Sequence, residues 1–380
     1  MLAYWLEVSA IFLAVMGLIQ LTNRWLAPRL KTPKQPVHPF VSVLIPARNE
    51  SRNIEACLEG LLAQNYPNYE VLVYDDRSED DTAKKVKQFN DPKLELIEGG
   101  ALPEDWHGKH HACHQLAERA TGTWWLFVDA DTTHAPEMLE QAIDYAVRHE
   151  VDLLSAFVNQ QTKTLGEKLM VPFPFWIIFS LLPMLVGRLF KWPAFAAANG
   201  QFMLFNADSY RMIGGHEAVR KEAVDDVALA RLTVKRKLRW RMVDATRVSS
   251  CRMYRSFKES FLGFKKNYFG ILEYRIILSV FIWSWLFYLQ WFAPLVLFID
   301  ARSPMLDARL STLAWISVGL MAGLWGHFAL RMRQSIWVVV LYPFIMTGAV
   351  IIGFVSMITT LIAPQQWKGR ALEKPPIRWF

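Results

Sequence analysis

Val41-Ser-Val-Leu-Ile-Pro-Ala-Arg-Asn-Glu50 opens as an apolar run broken only by one serine, then turns polar at a proline. A short apolar run closed by turn residues reads as a buried strand. Ser51 then caps a helix whose apolar positions are Ile54, Leu58, Leu61 and Leu62. Outward from this unit the alternation continues. Tyr69-Glu-Val-Leu-Val-Tyr74 is a second strand ending at Asp75-Asp76, and Asp80 or Asp81 opens the next helix. Residues 94–97 form a third strand, a helix begins near Lys109, and residues 124–128 form a strand ending at Asp129-Ala-Asp131. Pro136 starts another helix and residues 151–157 a further strand. This order predicts an α/β fold, an open and mainly parallel sheet with ligands at the strand C-termini. The first turn has neither Gly-x-Gly-x-x-Gly nor a Walker lysine loop, which excludes the usual dinucleotide and P-loop readings.

The 380 residues are 53% hydrophobic and 20% charged, with net charge +7, 16 Trp and 24 Phe. The apolar share is unevenly distributed. Residues 276–299, 311–330 and 336–363 contain no Asp, Glu, Lys or Arg, each long enough to cross a hydrocarbon core of about 30 Å as a helix. Residues 1–23 carry Glu7 alone and are followed by Arg24, Arg29, Lys31 and Lys34. That basic flank predicts that the large domain lies on the cytoplasmic side of a multi-pass inner-membrane protein. The tail, with Lys368, Arg370, Lys374 and Arg378, sits on the wrong side after four crossings. Either the rule is broken or the last run, interrupted by Pro343, Gly348 and Gly353, re-enters; the balance of charge favours a cytoplasmic tail. The expected division is residues 1–26 as a membrane helix, 38–270 as the catalytic domain, 276–363 as membrane helices and 364–380 as a basic tail. Within the catalytic domain, residues 169–190 hold Pro172, Pro174 and Pro183 with Trp176 and several Phe. They read as an interfacial element or as a buried core helix, the aromatics favouring the interface. Cys57, Cys113 and Cys251 lack metal spacing and read as reduced thiols. Lys and Arg gather at membrane flanks without the aromatic interleaving of nucleic-acid binders, so the expected surface is anionic lipid and not nucleic acid.

The strand ends carry carboxylates. Asp129 and Asp131, two apart, point the same way in an extended chain and suit a divalent cation, Mg or Mn, on a diphosphate; a capped turn is the structural alternative. Asp76 could accept a hydrogen bond from a uracil imide or simply hold a turn. Asp225-Asp226 could supply a general base or open a charged helix. Lys109 at a helix start suits phosphate. His107, His110, His111 and His114 with Cys113 invite zinc, but no second ligand cluster accompanies them.

Together these motifs resemble the family 2 inverting glycosyltransferases of the GT-A (nucleotide-diphospho-sugar transferase) fold, over roughly residues 41–269. The resemblance gives nucleotide-sugar contact to Pro46, Ala47, Arg48 and Glu50, the uracil role to Asp76, and metal or sugar contact to Asp129 and Asp131. It gives the base role to Asp226, with Asp225 where the family usually has Glu. Asn199-Gly200-Gln201 and Gly214-Gly215-His216 resemble its acceptor-side segment. Processive polysaccharide synthases carry Gln/Arg-x-x-Arg-Trp; here Arg252-Met-Tyr-Arg255-Ser256 lacks the Trp, which implies single-sugar transfer, with Arg252 and Arg255 left for the diphosphate. The Leu102-Pro-x-x-Trp-x-Gly-Lys stretch, the C-terminal helices and Trp367-Lys-Gly-Arg370 are similar to bacterial lipid glycosyltransferases of the carotenoid and hopanoid-associated kinds and, more distantly, to ceramide glucosyltransferases. The implied partners are a UDP-sugar, with glucose favoured, a lipid hydroxyl or carboxyl, and the membrane. The competing readings are a polyprenyl-phosphate glycosyltransferase, a polysaccharide synthase, and a membrane scaffold or transporter with a dead domain.

Overall fold

A computed structural model describes residues 1–222, 224–303, 306–363, 366–367, 370–371 and 376–380. Much of the basic tail, 364–365, 368–369 and 372–375, therefore lies outside the described residues, as does Ala223 beside Asp225-Asp226. The chain divides into two compact units. One holds residues 25–161 and 184–253, the other 1–24, 162–183 and 254–380. The expected catalytic domain of 38–270 differs from this division: residues 162–183 and 254–270 group with the long helices.

The α/β unit is built on β1 (Val41–Ala47), β2 (Tyr69–Asp75), β3 (Leu94–Glu98), β4 (Trp124–Phe127), β5 (Thr132–His134), β6 (Leu153–Phe157), β7 (Asn159–Gln160), β8 (Met203–Asn206), β9 (Trp240–Asp244) and β10 (Ser249–Cys251). Seven strands form one sheet in the order β3-β2-β1-β4-β8-β6-β9. All pairs are parallel except those of β8, which runs antiparallel to β4 and β6. β1 is buried at every position but Pro46 because helices cover both faces, as a continuous apolar run requires. Its one polar residue is satisfied: the Ser42 hydroxyl donates to Glu70 at 2.6 Å and accepts from the Gly122 N–H at 2.8 Å. Gly122 lies so close that a Cβ there would meet the Ser42 backbone nitrogen at 2.6 Å. A second sheet, β5-β10-β7, sets Cys251 opposite Thr132 and so folds the chain after β10 back beside Asp131.

Chain order in this unit continues with α2 (Ile54–Leu62), α3 (Thr82–Val86), α4 (Gly108–Arg119) and α5 (Met138–Arg148). α2 begins three residues beyond Ser51, after Asn53, and neither caps it through a side chain. The Ser51 N–H is instead held by Asp80, which also accepts from the Thr82 N–H ahead of α3.

The helical unit contains α1 (Leu2–Leu26) up to Arg24, α6 (Leu165–Met170), α7 (Pro172–Leu181), α12 (Phe257–Ile271), α13 (Ile276–Arg302), α14 (Ala308–Arg331) and α15 (Val338–Ile362). Between α7 and α12 the chain runs through α8 (Met184–Phe190), α9 (Ala207–Met212), α10 (Gly215–Ala218) and α11 (Asp225–Lys235), all of the α/β unit. Among the described residues four helices, α1, α13, α14 and α15, are long and apolar enough to cross a membrane, with mean hydropathy 2.0, 1.7, 1.5 and 2.4. Their surfaces expose Ile11, Leu18, Phe281, Trp315, Val340 and Phe344, side chains suited to lipid contact. The segment 169–190 contains no single long helix; it breaks at Leu182-Pro183 between α7 and α8. α15 is continuous through Pro343, Gly348 and Gly353. The two glycines are slots: a Cβ would meet the Met170 methyl at 2.7 Å from Gly348 and the Trp283 ring at 2.2 Å from Gly353.

Polar side chains close the packing. Gln20 donates to Ser180 at 2.7 Å and to the Leu324 carbonyl, and its carbonyl meets His327 Nδ1 at 2.9 Å. Asn23 donates to the carbonyls of Phe179 and Leu182, which end α7 before Pro183. Asn23→Ala strands both acceptors in an apolar setting, and the expected cost is about 1–3 kcal/mol. A thermal-unfolding midpoint in detergent unchanged from that of the native chain would refute this role.

Candidate functional site

Parallel pairing aligns the C-termini of β1, β2 and β4 on one sheet edge, and there the backbone presents Pro46, Ala47, Asp75, Asp76 and Asp129. Arg48 follows β1 in the turn. Its guanidinium is buried and donates to the Asp76 carbonyl at 2.6 Å and the Arg77 carbonyl at 3.1 Å, so it braces the loop that carries Asp76. The Asp76 N–H in turn donates to Ala47 O at 2.8 Å. The Glu50 N–H is tied to Thr82, and its carboxylate accepts from Asn53. Asp75 accepts from the Ser78 N–H through one oxygen, while its other oxygen is buried without a partner.

Asp129 and Asp131 emerge at the end of β4. The Lys109 ammonium, at the start of α4, is 2.5 Å from Asp129 Oδ1. Asp131 Oδ1 is buried and has no hydrogen-bond partner. Burial, then Asp129, then Glu50 push the Asp131 carboxyl up to about 7. Burial also raises Asp129, with Lys109 opposing. A carboxylate with one buried, unpartnered oxygen that resists ionisation is suited to a hard cation, which would relieve the same repulsion. The described residues hold no group of three or more His, Cys, Asp or Glu arranged for a metal, so any cation here would draw further oxygens from substrate and water, as Mg and Mn commonly do. Beyond Asp131, its carbonyl accepts from the Arg252 N–H at 3.4 Å, which places Arg252 at this edge. Arg255 belongs to the helical unit, where its N–H bonds Glu259.

α11 opens with Asp225-Asp226. Asp226 accepts from the Gly200 N–H at 2.7 Å and from its neighbour Val227 N–H at 2.7 Å. Burial and the adjacent Asp225 raise its carboxyl to about 7, against Lys109. Asp225 goes the other way: burial opposes ionisation, but Lys109, His110 and His216 outweigh it and hold the carboxyl well below the usual range. Lys109 remains protonated despite burial because Asp129 and Asp225 face it. One lysine thus links the β4 end to the α11 start.

The structure gathers Lys109, Asp129, Gly200, Asp225 and Asp226 at one place. Other expected site residues are internal. Asn199 bonds Ser155 and the Ala156 carbonyl; Gln201 accepts from Gln160 at 2.6 Å and lies 3.1 Å from Cys251 Sγ. Gly214 and Gly215 adopt φ of +82° and +51°, and a Cβ on Gly215 would strike the Tyr210 ring at 2.3 Å. His216 is fully buried. Tyr210, Gln160 and Cys251 carried no sequence signal, since their partners come from strands and loops remote in the chain. Gly200→Ala places a methyl 3.1 Å from the Lys109 ammonium and 3.4 Å from Asp226. The expected result is loss of catalysis by at least about tenfold with the fold retained; full activity on an enzymatic assay would show the contact is tolerant. All three thiols are buried and raised, Cys57 to about 12, by desolvation. Thiol reagent at pH 8 should therefore label none in the native chain and three in denaturant.

Residues 42–214 match the family described as Glycosyl transferase family 2. The chain is 26% identical over 256 residues to 4,4'-diaponeurosporenoate glycosyltransferase of Staphylococcus aureus strain USA300, covering 65% of this chain and 66% of that protein, just under two thirds of its length. The same-named protein of the bovine strain RF122 is 29% identical over 198 residues, half of each chain. Among solved structures, the mannosyltransferase PcManGT from Pyrobaculum calidifontis, in complex with GDP-Man and Mn2+, superposes with TM-score 0.54 at 18% identity, covering 94% of this chain and 99% of that one. The mainly parallel sheet and its carboxylate-bearing edge agree with these likenesses: residues 42–214 match the Glycosyl transferase family 2 model, and the α/β unit has the GT-A fold.

Proposed function

We propose that the chain is a membrane-bound inverting glycosyltransferase that moves one sugar from a UDP-sugar, glucose being favoured, to a hydroxyl or carboxyl of a lipid such as a carotenoid or other isoprenoid. The observation that carries this reading is Asp226, a half-buried carboxylate fixed by the Gly200 N–H with a proton affinity near neutrality. A general base works best when its pKa lies near the working pH. The four apolar helices support a membrane location, the named relatives support a lipid acceptor, and the basic flank Arg24, Arg29, Lys31 and Lys34 is the ground for the cytoplasmic side.

In this reading uracil stacks its imide toward Asp76, and the diphosphate lies toward Lys109 and Arg252. The acceptor hydroxyl gives its proton to Asp226 as its oxygen attacks the anomeric carbon. The bond from that carbon to the diphosphate breaks with its electron pair, UDP departs, and the configuration inverts. Asp131, with Asp129, would hold a divalent cation, which when bound supplies positive charge to the departing diphosphate. Lys109 adds a fixed charge on the same side, where it is needed most in the transition state. Asn199, Gly200 and Gln201 shape the acceptor side through backbone and buried contacts, and the left-handed turn at Gly214-Gly215 seats His216 beneath it.

Because the carboxylate is the active form of Asp226, transfer to a hydroxyl should fall about tenfold per unit as pH drops below 7. Asp226→Asn should abolish transfer while UDP binding persists. The assay is transfer of labelled sugar from UDP-glucose to a lipid extract by the full chain in detergent, with and without Mn or Mg after chelation. Activity that survives Asp226→Asn would point to an acceptor already ionised, a carboxylate or a polyprenyl phosphate, and remove the base.

A further inference from the structure

Behind Asp226 lies a cluster of buried polar groups that the transfer chemistry leaves without a task. His216 is 0% exposed and His110 4% exposed. His216 Nε2 lies 3.6 Å from Asp225 Oδ2, and His110 Nε2 lies 4.0 Å from Asp225 Oδ1. Both carboxylate oxygens of Asp225 therefore face an imidazole nitrogen. Neither nitrogen of His110 has a hydrogen-bond partner, nor has Nε2 of His216. Buried polar atoms left in this state are rare and call for a reason.

Tyr210 defines which proton sits where. Its hydroxyl accepts from the backbone N–H of His216 at 2.9 Å and lies 2.7 Å from Nδ1 of the same residue. The hydroxyl keeps its own proton while accepting from the N–H, and the tautomer that serves Asp225 is the one in which it donates to Nδ1. That leaves the ring proton of a neutral His216 on Nε2, the nitrogen turned to Asp225. The glycines at 214 and 215 make this seat possible, since a Cβ at 215 would collide with the Tyr210 ring. No group of three ligands in the described residues fits a metal here.

We propose that His110 and His216 are positioning residues that pin the Asp225 carboxylate, and that Asp225 acts on its neighbour Asp226 rather than on either substrate. Burial keeps both imidazoles neutral, His110 down to about 3 and His216 lowered, so they steady the carboxylate without cancelling its charge. An ionised Asp225 next to Asp226 raises the proton affinity of the latter and makes it a stronger base. The groups facing this pair are Lys109, His110 and Cys113 from α4, His107 just ahead of it, Asp129 from the end of β4, Tyr210 from α9 and His216 from α10. The helical turn at Pro193–Phe195 brings none. On β9, Arg241 interacts with Tyr145 and Arg188 instead.

The inference rests on Asp226 as base, and its test uses two readouts on the full chain in detergent. The first is the pH profile of kcat for UDP-glucose turnover with a lipid extract. The second, independent of turnover, is the infrared band of the protonated Asp226 carboxyl, identified by its absence in Asp226→Asn. Asp225→Asn should move both the acid limb and the band midpoint down by about one pH unit, whereas Asp225→Glu, which keeps the charge, should hold them near the native value. His216→Phe should lower kcat about tenfold with the KM for UDP-glucose within twofold, and it carries the test should Asp225→Asn not fold. A band midpoint unmoved by Asp225→Asn, or a His216→Phe enzyme with native kcat, overturns the proposal. A native chain without turnover but with the band shift intact strikes the transfer reading and leaves the coupling of Asp225 to Asp226 standing.

Discussion

A single half-buried ammonium governs the edge of the sheet. Lys109 pairs with Asp129 and faces Asp225, while Gly200 brings the Asp226 carboxylate next to it. Without that charge, carboxylates from two distant parts of the chain would crowd a desolvated space with nothing to offset their repulsion. The lysine leaves the balance incomplete on purpose-built terms: Asp225 is held ionised, and Asp131 and Asp226 are held near neutrality. One charge fixed and two adjustable is an arrangement that suits a site where a proton and a diphosphate charge must both be accommodated.

The backbone around it is correspondingly tight. The Gly122 approach to Ser42 and the Gly215 approach to Tyr210 lack room for a methyl group, and the Gly200 approach to Lys109 and Asp226 is tight for one. The three contacts lie at the N-terminal edge of the sheet, at the site and behind it. Rigid backbone at such points is how a loop-built site keeps its geometry without large hydrophobic anchors of its own.

Legibility in the sequence followed locality. The strands β1, β2 and β4 are continuous apolar runs, and the carboxylates at their ends were visible as such. β8 and β9 escaped notice because Met203–Asn206 and Trp240–Asp244 are short and mixed, and their strand character comes from pairing with β4 and β6. Ser51 has the chemistry of a helix cap, yet Asp80 from 29 residues away captures its backbone instead. His110 and His114 drew attention as a ligand pair at helical spacing, whereas the informative partner of His110 is Asp225, which only the fold brings near. Arg48 has the charge of a phosphate ligand and uses it on the carbonyls of Asp76 and Arg77. Pattern finds chemistry that is contiguous; networks assembled from four elements leave no periodic trace.

The amide of Gln20 gives the helical unit a temporal order. It leaves the ribosome on the first long helix, but Ser180 follows 160 residues later and His327 307 residues later. An unpaired amide in an apolar segment is a standing incentive for that helix to find company. This helix therefore completes its polar pairing only when segments far along the chain are in place. Its final seat is settled only when α14 arrives, which makes assembly of the helical unit a late step even though its opening segment is early.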